Sequence, residues 1–270
     1  MAEYSLGHSP AEQQRLQRQA ALLRNITQTI WRRAGLEPGM RVLDVGCGVG
    51  DTSFLAADMV GVDGMVVGQD RSPEALATAR QRAAELGLDH VEFVEGELGS
   101  WPGSDERFDA IVGRYVLIHQ PDIEEALLKL RPMLRPDGGI IAFHELELEA
   151  RTMSDPASEL VLQVRGWLRQ AFKFGGMQAH GVMDLSRCFF EAGFGWPQVE
   201  LYPLVGCGPD SFAPAYLVEI LRTVAPTLEK HGVIKVDELG LDTLEARLRE
   251  SCANGAPGLV QINGGAWARI

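Results

Sequence analysis

A parallel α/β fold is predicted by three features of the sequence: apolar strand-like runs alternating with helical stretches, a glycine-rich turn directly after the first run, and an acid closing the second. Helices of ten or more residues between strands imply crossover connections, which cover a parallel sheet on both faces. Such sheets place ligands outside the carboxyl ends of their strands.

The elements follow in chain order. Ser9-Pro10 with Glu12 marks a helix start, and Leu16, Ala20, Leu23, Ile26 and Ile30 recur every three or four residues, giving an apolar face to a helix ending near Gly35. "RVLDV" at 41–45 is the first strand, residues 51–60 are helical, and "VVGQD" is the second strand. A helix starts after Ser72-Pro73-Glu74 and ends near Gly87. "VEFVEG" and "FDAIVGRYVLI" supply the third and fourth strands, residues 122–131 a helix, and "GGIIAFHE" the fifth strand. The alternation then stops. Residues 146–180 mix polar stretches with Trp167, Phe172, Phe174, Gly175 and Gly176, which predicts a helical insertion. Beyond it come a helix at about 184–192, strand-like "PQVELYPLV", helices at 214–229 and near 240–251, and a last strand in "LVQINGGAWARI".

The formal net charge of -12 opposes a backbone-driven grip on nucleic acid and suits a small neutral or cationic substrate, although Arg15, Arg18, Arg24, Arg32 and Arg33 make the first helix locally basic. No uninterrupted apolar stretch approaches the roughly twenty residues needed to cross a bilayer. Met1-Ala2-Glu3-Tyr4 lacks the basic flank and apolar core of a secretory signal, and Cys47, Cys188, Cys207 and Cys252 have neither metal nor disulfide-framework spacing. The expectation is a metal-free cytoplasmic protein with no membrane span, a monomer or a homodimer.

Gly46, Gly48 and Gly50 follow the first strand, where bare backbone lets a ligand lie close. A dinucleotide fingerprint spaces its glycines G-x-G-x-x-G, whereas the third glycine here comes one residue early. Asp44 would repel a diphosphate at the same turn yet accepts a hydrogen bond from an ammonium group. Asp70 can accept from both hydroxyls of a ribose. Together they favour an adenosine ligand with an amino-acid tail; the bland alternative is that both acids cap turns.

"VLDVGCGVGDTSFLA" followed by "VVGQD", "VEFVEGELGSWP", "FDAIVGRYVLIH" and "LRPDGGIIAF" resembles the class I S-adenosylmethionine-dependent methyltransferases over about residues 36–145. "EYSLGHSPAEQQRLQRQA" and "GGAWARI" are similar to a subgroup of bacterial small-molecule methyltransferases. The resemblance implies a Rossmann-like α/β fold with a mostly parallel seven-stranded sheet. It divides the chain into an N-terminal helical arm (1–35), a cofactor-binding core (36–145), a helical lid insertion (146–180) and a completion of the core (181–270). S-adenosylmethionine is the implied cofactor and S-adenosylhomocysteine its product.

Carried over by position, the resemblance places Gly46, Gly48 and Gly50 beside the methionine and ribose, Asp70 on the ribose hydroxyls and Arg71 beside the adenine. Glu97 stands where the family commonly has an aspartate on the adenine amino group, and Leu98 offers a neighbouring amide. At Arg114 the backbone carbonyl is the expected contact for the methionine ammonium, so its side chain need not be functional, and Leu117 helps wall the pocket. Apart from the resemblance, Tyr4 either folds over the methionine end when the amino-terminal arm closes or belongs to a flexible terminus.

Attack on a sulfonium methyl needs an oriented nucleophile, exclusion of water and, for a phenol or ammonium, a base. His119 after the fourth strand, His144 and Glu145 at the end of the fifth, and His180 in the lid are the candidates, each with a structural hydrogen-bonding role as its alternative. Trp167, Phe172 and Phe174 either line an acceptor pocket or pack the lid's own core. The favoured reading is methyl transfer to a small aromatic or hydrophobic metabolite, such as an intermediate of secondary metabolism and natural product biosynthesis, at an oxygen, nitrogen or carbon. Methylation of RNA or protein and a noncatalytic cofactor-binding module are the alternatives.

Overall fold

A computed structural model describes residues 10–101, 107–147, 158–177, 181–253 and 257–270. Seven strands form one sheet in the order β3-β2-β1-β4-β5-β7-β6. β1 (Arg41–Val45), β2 (Met65–Asp70), β3 (Val91–Glu95), β4 (Ala110–Arg114) and β5 (Ile140–Glu147) pair in parallel. β7 (Pro257–Arg269) runs antiparallel to both β5 and β6 (Gln198–Cys207). The order reverses between β1 and β4, and the glycine turn lies at that switch.

Strand alternation assigns the two faces. Val42, Ala110, Val112, Ile140, Ala142 and Trp267 pack beneath α1 (Pro10–Ala34), α2 (Asp51–Val60) and α3 (Pro73–Leu86). Leu43, Val45, Ile111, Ile141, Phe143, Ala266 and Ala268 pack on the other face, beneath α4 (Ile123–Leu130) and α6 (Leu185–Glu191). The two helices entering the sheet edge start as the sequence requires: Ser72 caps α3 by accepting from the Ala75 amide, with Pro73 at its first position, and Asp122 caps α4 through the Glu125 amide.

The first helix lies across the sheet rather than apart from it, and Leu23, Ile30 and Trp31 lose all exposure there. Burying three such side chains contributes on the order of 5–8 kcal/mol before entropy is counted. α5 (Glu159–Phe174), α7 (Ala213–Lys230) and α8 (Leu241–Cys252) make a separate apolar cluster. Trp167 and Phe172 pack against it, while Phe174 is largely exposed and stacks on His231 at 4.2 Å. Trp167 and Phe172 therefore pack within a cluster that α5 shares with α7 and α8, rather than within a core of the insertion alone.

One element differs from its expectation. The fourth strand stops at Arg114 rather than continuing through Ile118. Tyr115 takes φ 58°, the only positive value at a non-glycine residue among those described, and a single 3-10 turn follows at Leu117–His119.

Candidate active site

The glycine turn is built by close packing. Gly46 has φ 66°, and a Cβ there would stand 2.7 Å from Val116 Cγ2. Gly48 has φ 53° and a different surrounding: a Cβ there would meet no protein atom within 4 Å, so its bare backbone faces open space. The Gly48 amide donates to Asp70 Oδ2 at 2.8 Å and the Ser72 amide to Asp70 Oδ1 at 2.9 Å. One carboxylate thus ties the ends of β1 and β2 together. Arg71 beside it is exposed.

Behind the turn, Asp44 is fully buried. Its Oδ2 accepts from Thr52 Oγ1 at 2.8 Å and Ser53 Oγ at 2.7 Å, but its Oδ1 has no hydrogen-bond partner. Burial raises its pKa to about 6, against those two hydrogen bonds and the charge of Arg114. An orphaned carboxylate oxygen in the interior costs on the order of 1–3 kcal/mol. A cationic ligand group removes that cost.

On the face beneath α1, register sets Arg114 beside His144, and Leu146 opposite Asn263 on β7. Asp44, Arg114, His144 and Asn263 therefore share one face across four strands. Arg114 Nη1 reaches Thr27 Oγ1 of α1 at 3.5 Å. Thr27 Oγ1 lies 2.9 Å from His144 Nδ1, and its one hydrogen is shared between that nitrogen and the Leu23 carbonyl at 3.1 Å. His144 Nε2 lies 3.2 Å from Asn263 Oδ1. With that oxygen as acceptor, the neutral ring carries its proton on Nε2. Tyr115 donates to the same oxygen at 2.5 Å and accepts from Gln261 Nε2 at 2.9 Å. Tyr216 accepts from Gln19 Nε2 at 3.0 Å.

The histidines expected to act as bases stand in different places. His144 has no exposed surface and both ring nitrogens are engaged, so neither is available to a substrate proton. Burial and the Arg114 charge push its pKa down to about 3, which keeps it neutral at pH 7. His119 is half-buried, and burial together with Arg71 pushes its pKa down to about 4.

Glu145 points to the opposite face from His144. Its Oε1 accepts the Val116 and Leu117 amides, each at 2.9 Å, and its Oε2 accepts the Ile118 amide at 3.3 Å. Burial raises its pKa to about 7 against those three bonds. These bonds explain why the fourth strand ends early: the carboxylate gathers the amides of the 3-10 turn. That geometry makes Glu145 the group that positions the 3-10 turn.

Leu117 needs correcting. It is fully buried in the core between the sheet and α4, so it cannot wall an open cleft. The Arg114 side chain turns toward α1, where it contacts Thr27. Glu97 is exposed at the end of β3, and Leu98 is partly buried against the core. Tyr4 and His180 lie outside the described residues.

Tyr115, Thr27, Tyr216, Gln261 and Asn263 were not read from the sequence as site residues. Thr27 carried a usable signal: it falls four residues after Leu23 and three before Ile30, a polar residue on the apolar stripe of the first helix. The placement of Tyr115 depends on a left-handed backbone that no spacing reveals.

A family profile described as a methyltransferase domain matches residues 36–171, just over half of the chain. The chain is 37% identical over 107 residues to an arsenite methyltransferase of Halobacterium salinarum, covering 40% of this chain and 27% of that protein. It is 39% identical over 113 residues to a 2-phytyl-1,4-naphtoquinone methyltransferase of Synechococcus elongatus, covering 40% of this chain and 48% of that one. The chain thus spans half or less of the length of these two relatives. Among solved structures, a SAM dependent methyltransferase from Aquifex aeolicus aligns over 90% of this chain and 89% of its own with a TM-score of 0.52 and 17% identity, a likeness of fold.

Proposed function

From the premise that the chain belongs to the methyltransferase domain family, we propose that it transfers a methyl group from S-adenosylmethionine to a small, aromatic or hydrophobic metabolite. The observation that carries this reading is open backbone at Gly48 together with an unpartnered buried carboxylate oxygen on Asp44, four residues earlier near the end of β1. A pyrophosphate gains nothing from that oxygen, whereas an α-ammonium does.

In this reading Gly46, Gly48 and Gly50 border the methionine and ribose, Asp70 exchanges its bond to the Gly48 amide for the ribose hydroxyls, and Arg71, Glu97 and Leu98 border the adenine. When bound, the cofactor supplies an electrophilic methyl group, so this chain needs no nucleophile of its own. Its work is to bind, orient and keep water away. Tyr115, Gln261, Gln19 and Tyr216 offer hydroxyl and amide groups beneath α1, and His144 and Asn263 hold Tyr115 in place from behind. This surface is neutral apart from the arginines, which suits an uncharged acceptor or one ionising at oxygen.

The division into arm, core, lid and completion belongs to the same reading, with α1 covering the acceptor side. So do a cytoplasmic location and a monomer or homodimer. Free cysteines at Cys47, Cys188, Cys207 and Cys252 fit a reducing compartment. Among the described residues no helix is long and apolar enough to cross a membrane.

Incubation with methyl-labelled S-adenosylmethionine and a fractionated cell extract tests the substrate class. Label in an extractable compound of low mass is expected. Label confined to protein or RNA rejects a metabolite acceptor, and binding without transfer across all fractions favours the noncatalytic module.

A further inference from the structure

We propose that Arg15, Gln19, Tyr216 and Gln261 form an oxyanion subsite for the acceptor, so that the methylated metabolite carries a negatively charged oxygen, as a carboxylate or an ionised enol or phenol. The inference rests on the acceptor side of the reading above and narrows it from any small aromatic or hydrophobic compound to an anionic one.

Three elements bring these groups together. Arg15 and Gln19 stand one turn apart on α1 and share a helix face. The Gln19 amide donates to the Tyr216 hydroxyl of α7 at 3.0 Å, and on the solvent side of the same two helices Arg18 pairs with Glu219 at 2.9 Å. Gln261 of β7 donates to the Tyr115 hydroxyl at 2.9 Å and also reaches Tyr216. Arg15 is 4% exposed and Tyr216 7%, so a guanidinium and a phenol are buried beside each other. Burial raises the Tyr216 pKa against Gln19, Arg15, Gln261 and Arg114, which keeps the phenol protonated and able to donate.

Donors and acceptors do not balance in this cluster. Asn263 Oδ1 alone receives Tyr115, Gln261 at 3.2 Å and His144 at 3.2 Å. The Asn263 Nδ2 group is buried without an acceptor, and the hydrogen of the Tyr216 hydroxyl has none among the described residues. Two guanidiniums, Arg15 and Arg114, add positive charge that acts on Tyr216. The carboxylates that approach are committed elsewhere: Glu145 to the amides of the 3-10 turn, and Glu219 to Arg18. Buried donors without acceptors are destabilising, so the cluster lacks a partner rich in lone pairs. An oxyanion is that partner, accepting from the phenol and amides and answering the arginine charge. An ammonium would add donors where they are already in excess, and a purely apolar acceptor would leave them unpaired.

Fluorescence titration of the full chain, loaded with S-adenosylhomocysteine, tests the subsite with 2-naphthoate, methyl 2-naphthoate, 2-naphthylmethylammonium and 2-naphthol, which share one aromatic body and differ in charge. Wild-type protein is expected to bind 2-naphthoate about 10- to 100-fold more tightly than its methyl ester, with the ammonium weakest. Arg15→Met should remove most of that preference and Tyr216→Phe about 3- to 10-fold of it, both keeping S-adenosylhomocysteine affinity within about twofold. 2-Naphthol separates the two sources of the charge: bound as its anion at pH 7, seen by the red-shifted absorption of the naphtholate, it admits ionised phenols; bound no better than the ester, it restricts the class to carboxylates. Equal wild-type affinity for 2-naphthoate and its ester overturns the proposal without any variant. So do folded Arg15→Met and Tyr216→Phe proteins that both keep the preference, and a loaded chain that binds none of the four probes. Should wild type fail to bind S-adenosylhomocysteine, the cofactor reading itself fails, and the subsite with it.

Discussion

Tyr115 stands edge-on to His144, their ring centres 5.4 Å apart, on the sheet face that its neighbour Arg114 already occupies. Consecutive residues of a strand point to opposite faces, so this arrangement exists only because Tyr115 leaves the strand with φ 58°. A left-handed backbone costs a non-glycine residue roughly 1–2 kcal/mol. The bonds of its hydroxyl to Asn263 and Gln261, and of its amide to the His144 carbonyl at 2.8 Å, offset that cost.

Replacing Tyr115 by Phe leaves the ring and removes the hydroxyl. The expected loss is about 1–2 kcal/mol in urea unfolding, because the buried Asn263 loses its shortest bond. Turnover should fall further than this stability change explains if, as proposed, the phenol borders the acceptor. An unchanged turnover number removes Tyr115 from the acceptor surface.

His144 is expected to be silent as a proton carrier. Its pKa, pushed down to about 3, keeps the ring neutral, and its NMR ring signals should hold constant from pH 8 to pH 5. The sign for stability is that of a depressed histidine: its contribution is complete above about 6.5 and is lost as pH falls toward the folded value. A ring that titrates near neutral pH would return it to the list of bases.

Glu145 behaves in the opposite sense. Its folded pKa, about 7, lies above the ordinary value of 4.5, so the folded chain holds that proton more tightly than the unfolded chain does. The stabilising contribution is therefore complete below the ordinary value and lost as pH rises through 7. Measured against Glu145→Gln, wild type should lose about 1–3 kcal/mol of relative stability between pH 5 and pH 8. A pH-independent difference would show that burial does not govern this carboxylate.

The glycines separate stability from ligand binding. Gly46→Ala meets Val116 at 2.7 Å and should unfold at distinctly lower denaturant. Gly48→Ala meets no protein atom and carries only the left-handed strain of roughly 1–2 kcal/mol. Its main effect should be on the cofactor, with at least about tenfold weaker binding if the ligand lies against that backbone. Equal cofactor affinity in wild type and Gly48→Ala would place the ligand elsewhere.

Most of the fold was legible because it rests on periodicity. The apolar face of α1, the parallel strands through β5 and the caps at Ser72 and Asp122 all follow from local chemistry. The glycine turn and its two acids were legible for the same reason, since Asp44, Gly48 and Asp70 sit at strand ends. What the sequence withheld depends on contacts across long separations. Asn263 meets His144 only through the antiparallel register of β7, and Glu145 is drawn to the 3-10 turn by amides that read as strand. Adjacent residues on one strand, His144 and Glu145, thus end in two different environments. Leu117 was misplaced because an apolar residue at a strand end looks alike whether it faces a cleft or the core.

Calorimetric titration of the wild-type protein with S-adenosylhomocysteine in the presence and absence of NAD bears most directly on the central claim. Saturable binding of one S-adenosylhomocysteine per chain, unaffected by excess NAD, is predicted by the open glycine and the waiting carboxylate. Binding of NAD with no heat from S-adenosylhomocysteine would contradict it.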